Sequence, residues 1–143
     1  MQKHDFDQLI ETVIIPRDPR YQREAYHFVR DALDYTQKII SKANKGVPRH
    51  ITGQELLAGF RSLALDQFGP MALTLLTEWG VGRCEDVGEL VFNLVESGWF
   101  SKTEQDSRAD FAGGYDFEEA FRKPFLPSRP LPTAADAPKS ASA

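Results

Sequence analysis

The sequence predicts a mainly α protein, and three observations carry that expectation. A long amphipathic run, Tyr21–Lys42, keeps its apolar residues at helical spacing. Three further helical segments follow between Thr52 and Ser97, each punctuated by glycine. After Gly98 the periodicity changes from helical to alternating. Helix, short helix, helix and then two candidate strands is a winged-helix-like order. The expected organisation is an N-terminal helical arm (residues 1–51), a winged-helix-like three-helix core with a C-terminal β-hairpin (52–125), and a tail (126–143).

Asp5–Ile15 opens the arm as a short helix, with Phe6, Leu9, Ile10, Val13 and Ile14 on one stripe. Pro16 and Pro19 are expected to end it, because proline lacks the backbone donor and restrains the residue before it. In Tyr21–Lys42 the stripe is Ala25, Phe28, Val29, Ala32, Leu33, Thr36, Ile39 and Ile40, with Arg23, Arg30, Asp31, Asp34 and Lys38 elsewhere. Lys42–His50, with Gly46 and Pro48, reads as a linker.

Thr52-Gly53-Gln54-Glu55 is a capping box, with Ile51 placed as the staple residue. Leu56, Leu57, Phe60, Leu63, Ala64 and Phe68 form the core stripe behind it. Gly69 closes that helix and Pro70 opens the next, Met71–Trp79, which ends at Gly80. Glu85–Ser97 carries Val87, Leu90, Val91, Leu94 and Val95 on one face, two acids in its first turn and Gly98 as its stop. Ser101–Glu104 and Tyr115–Phe121 are the two expected strands, the second with Tyr115, Phe117, Glu119 and Phe121 on one face. The tail from Leu126 has too few apolar residues to offset its ordering entropy and is expected to be disordered.

The chain of 143 residues has a net charge of −4 that conceals an uneven layout. Residues 1–51 hold nine Lys/Arg against seven Asp/Glu, residues 52–121 hold four against thirteen, and residues 122–143 hold four against one. An acidic centre repels phosphate backbones. The Glu85–Ser97 helix, where a winged helix would read DNA, has four acids and no Lys or Arg. A nucleic-acid regulator would need a basic face from Arg17, Arg20, Arg23, Arg30 and the tail; the simpler expectation pairs those arginines with nearby acids.

Chemistry is sparsely signalled. His4, His27 and His50 are scattered, and the single Cys84 has no CxxC or HxxxH partner, so structural zinc is excluded on spacing. Asp106, Asp110 and Asp116 lack the alternation of a calcium loop. FAGGYDF has neither the lysine of a P-loop nor GxGxxG spacing, and no GxSxG or HExxH occurs. No catalytic, metal or cofactor residue is therefore assigned. An enzyme of unknown reaction stays open only through a pocket grouping His27 or His50 with acids. The N-terminus MQKHDFDQL has no apolar run, and one cysteine suits a reducing cytosol, so a cytoplasmic protein without a membrane partner is expected.

The loop DSRADFAGGYDF remains. Arg108, Phe111, Gly113, Gly114 and Tyr115, with Phe92 off the main stripe of its helix, combine aromatic and arginine anchors with a flexible turn. They are the candidate residues for contact with a protein partner. The alternative places Phe111 back over the core. The segments RDPRYQREAYHFVRDALDYT, HITGQELLAGFRSLALDQFGPMA, WGVGRCEDVGELVFNLVESG and SKTEQDSRADFAGGYDFEEAFRKPF resemble a small uncharacterised bacterial family reported as restricted to Verrucomicrobia and Planctomycetes. The resemblance spans residues 15–126 and implies no activity, cofactor or site residue.

Overall fold

A computed structural model describes residues 3–47, 51–99 and 108–126. The expected first strand Ser101–Glu104, His50 and the tail beyond Leu126 lie outside them.

Helix α1 (Lys3–Leu9) runs into a wider π-helical turn, Ile10–Ile14, and then into α2 (Ile15–Arg17). The helical path thus continues two residues beyond the expected stop. Proline clashes with the carbonyl four residues before it, and the wide turn, in which the Ile15 N–H donates to the Ile10 carbonyl, relieves that crowding ahead of Pro16. The chain leaves helical geometry at Asp18. Phe6, Ile10 and Ile14 are buried, whereas Val13 of the expected stripe is 40% exposed.

Helix α3 (Arg23–Ala43) buries Ala25, Tyr26, Phe28, Val29, Ala32, Thr36 and Ile40. Ile39, also expected on that stripe, faces out. Helix α4 (Gly53–Phe68) starts on the expected capping box: the Glu55 N–H donates to Thr52 Oγ1 at 3.1 Å, and Glu55 Oε1 accepts from the Thr52 N–H at 3.0 Å. A 3₁₀ turn, Gly69–Met71, leads into α5 (Ala72–Glu78). Helix α6 (Cys84–Glu96) follows. Helices α5 and α6 both end in a Schellman motif, with Val81 N–H on the Leu76 carbonyl at 2.8 Å and Trp99 N–H on the Leu94 carbonyl at 3.0 Å.

The expected C-terminal β-hairpin is not formed: no strand occurs among the described residues. Arg108–Phe111 is a 3₁₀ turn, Glu118–Arg122 a π-helical turn, and Lys123–Phe125 a further 3₁₀ turn. The residues explain the correction. Phe117, Ala120 and Phe121 are buried, while Glu119 of the supposed period-two face is exposed. That is helical spacing. Glu118 and Glu119 pair with Arg122 and Lys123 four residues on, at 3.3 and 3.2 Å, in the orientation that supports helix. Without a hairpin there is no wing, and the winged-helix description falls with it.

One apolar core joins all these pieces, from Phe6 and Ile10 through Tyr26, Val29, Phe60, Leu76 and Leu90 to Phe121. Where α3 crosses α4, Gly59 allows the close approach: a Cβ there would overlap Thr36 Oγ1, which is buried and donates to the Ala32 carbonyl at 2.7 Å.

Candidate functional site

The aromatic residues of the Gly-Gly loop turn inward. Phe111 is 5% exposed and meets Phe92, also 5% exposed, edge to face at 6.2 Å. It lies on Gly88, where an added Cβ would come within 2.8 Å of the ring. Gly113 has φ +67°, a left-handed turn that favours glycine. Gly114 packs on Leu57 and Cys84. Tyr115 donates its hydroxyl to the Leu57 carbonyl at 2.7 Å and stacks on Phe117. Arg108 begins the 3₁₀ turn that delivers Phe111. Phe92, Phe111, Gly114 and Tyr115 thus come together as a lid on the core.

Cys84 belongs to the same lid. Its thiol donates to the Tyr115 carbonyl at 3.3 Å, and burial, aided by Glu85, raises its pKa against the hydrogen bonds from Tyr115 and Gly114 that lower it. A raised thiol pKa removes nucleophilic thiolate. The Tyr115 phenol is likewise pushed up by burial.

Of the arginines expected to form a basic face, Arg17 is exposed without a partner among the described residues, whereas Arg20, Arg23 and Arg30 are engaged within the chain. Arg20 binds Asp18 through two side-chain hydrogen bonds, at 2.8 and 2.7 Å, and also reaches Glu89 at 3.0 Å. Asn93 donates to Asp18 at 2.9 Å and to the Tyr26 hydroxyl at 3.0 Å. Arg20, Asn93 and the Arg20 backbone hold the Asp18 carboxyl well below the usual carboxylate range, against the opposing effect of burial. Burial pushes the Tyr26 phenol up to about 12. Arg23 pairs with Glu11 at 3.3 Å. Arg30 lies over the paired rings of Phe6 and Trp99, 4.8 and 5.2 Å from their centroids.

One concavity runs along α3. It is an open groove of about 780 Å³. Phe28, Phe68 and Trp79 form an aromatic wall, with rings 5.1 to 5.9 Å apart. Asp7, Glu24, Asp31 and Asp34 supply four carboxylates; Arg23, Arg30 and His27 complete the polar lining, with Gln67 from α4. His27 Nε2 is hydrogen-bonded to Asp7 Oδ1, and the ring stands edge-on to Phe6. Glu24, His27, Asp31 and Asp34 occupy one long stripe of α3. From the sequence Asp31 and Asp34 are expected away from the core stripe, and His27 half-buried beside it. The signal that these residues border a groove lies in Phe68, the last residue of α4, and Trp79, the C-cap of α5, where a ring is only half covered.

A smaller concavity of about 260 Å³ lies between α5 and the last turns, lined by Leu73, Phe121, Phe125 and Leu126 among others. Among the described residues no three His, Cys, Asp or Glu side chains converge to hold a metal ion. No helix among them is long and apolar enough to cross a membrane. Set against family models, curated proteins and solved structures, the chain matches none.

Proposed function

We propose that this chain is a non-catalytic protein-interaction module whose contact surface is the α3 groove. The observation that carries the reading is the groove's makeup: an aromatic wall of Phe28, Phe68 and Trp79 beside exposed charged side chains, with no hydroxyl or thiol nucleophile among the lining residues. Aromatic surface rimmed by charge is the usual composition of a recognition site. The inward-facing Phe111 moves the expected contact from the Gly-Gly loop to this groove. A nucleic-acid role has less support, because Arg20, Arg23 and Arg30 are engaged within the chain. A cytosolic location fits the single unpaired Cys84.

The test is affinity recovery from native extract with the intact protein and with a Glu24→Arg/Asp31→Arg variant. Both residues are exposed, so the variant should melt within a few degrees of the parent. Recovery of a defined partner by the parent and its loss in the variant supports the groove. Equal recovery by both removes it.

A second reading, acid–base catalysis, has one observation in its favour. Asp7 orients His27 at the groove edge, the pairing by which a carboxylate fixes an imidazole for proton transfer. That reading predicts turnover of some hydrolysable substrate that His27→Gln abolishes without lowering the melting temperature. A substrate panel with no His27-dependent turnover ends it.

A further inference from the structure

Resting on the groove reading, we propose that the occupant is a basic segment of a partner protein, carrying two cationic side chains about 10 Å apart with an apolar residue between them.

The inference comes from pairing off the charges that face the groove. Of its cations, Arg23 is held by Glu11, and Arg30 lies against the rings of Phe6 and Trp99. Of its carboxylates, Asp7 is bound to His27, and Asp34 to Lys38 at 3.3 Å. Glu24 and Asp31 are left: among the described residues no hydrogen bond or ion pair joins either side chain. An anionic ligand would meet cations already engaged and two opposing carboxylates. A cationic one meets two acceptors with no competing partner.

The spacing specifies the occupant further. Glu24 and Asp31 are seven residues apart on α3, two helical turns, or about 10 Å along the axis. Phe28 lies between them on α3 and packs against the rings of Phe68 and Trp79. An aromatic wall accepts an apolar side chain, and a ring face also attracts Lys or Arg. From Arg23 to Asp34 the groove follows about 16 Å of α3, the span of three helical turns. Carboxylates spread along that length beside an aromatic wall suit a peptide segment better than a compact ligand. The match is to a short amphipathic helix with cations at i and i+7.

The chain has two tryptophans, so Trp99→Phe leaves Trp79 as the reporter in the groove. The probe is a 15-residue helical peptide with two arginines seven apart and leucines between them. Controls are the same peptide with glutamates for arginines, and spermine. The inference predicts a saturable change in Trp79 emission with the basic peptide. It also predicts binding about tenfold weaker at ~0.5 M salt than at ~0.05 M, because the contacts are solvent-exposed charges. Glu24→Gln/Asp31→Gln should weaken it by a similar factor with an unchanged melt. Equal binding by the acidic peptide, or indifference to the Gln pair, overturns the inference. Spermine binding as tightly as the peptide assigns the groove to a small polyamine and also overturns it. If the basic peptide fails while the native partner is still lost from Glu24→Arg/Asp31→Arg, the partner's chemistry is wrong and the interaction reading stands.

Discussion

Phe111 and Gly88 show how one residue's role depends on another far along the chain. Phe111 reaches the core because position 88, inside α6, has no side chain to keep it out. Truncating a buried phenylalanine costs about 3–5 kcal/mol. Phe111→Ala should therefore lower the melting temperature by roughly 6–20 °C, given about 2–4 °C per kcal/mol for a chain of this size. Gly88→Ala should approach that loss, because the added methyl meets the ring backed by Phe92. Thermal melts followed by circular dichroism measure both, and a melt unshifted in either variant would mean that the lid is not packed as described. The same packing protects Cys84. In the folded protein its thiol should react with a disulfide reagent at least about tenfold more slowly than in denaturant, since both access and thiolate are reduced. Fast reaction in the native state would contradict the burial. Sequence alone left Phe111 between core and contact because its partner lies 23 positions away. The one local clue was a glycine inside an otherwise uninterrupted helix, a position where packing often demands it.

At the level of elements, what was legible depended on local signals. The capping box at Thr52, the glycine stops after α5 and α6 and, apart from the exposed Ile39, the stripe of α3 appear where their residues placed them. The errors arose where two periodicities compete over few residues. Tyr115–Phe121 is too short to separate alternation from helix by apolar spacing, and the Glu118–Arg122 and Glu119–Lys123 pairs carry the distinction. Pro16 signals a helix stop in the sequence, because nothing local announces the wide turn that accommodates it. The connection from α2 to α3 is held by the Asp18–Arg20–Glu89–Asn93 network across to α6. Its pH dependence follows from the direction of the Asp18 shift. A carboxyl whose pKa is lower in the folded state binds fewer protons there. Its stabilisation is full above the unfolded value of about 3.9 and is lost as pH falls through that value towards the folded one. Asp18→Asn should accordingly be less stable than the parent near pH 7, and the gap should narrow below about pH 4. Urea melts across pH 2.5–7 measure it. A gap independent of pH would show that the Asp18 charge does not couple to folding.

For the whole molecule, the charge layout read from the sequence and the groove seen in the structure address different questions. The excess of acids between residues 52 and 121 made phosphate backbones unfavourable partners. It did not locate a surface, because the carboxylates that border the groove come mainly from α3, in the half of the chain with a basic balance. What makes them a site is the tertiary placement of Phe68 and Trp79 beside α3, which rests on contacts across about 40 to 50 positions. The central claim is that this groove is the contact surface. Carbodiimide labelling of carboxylates, read by mass spectrometry with and without a recovered partner, tests it most directly. In the free protein Glu24 and Asp31 should label readily. In the complex both should be protected while Asp66 and Glu78, exposed and outside the groove lining, remain reactive. Unchanged labelling of Glu24 and Asp31 in a saturated complex would contradict the claim.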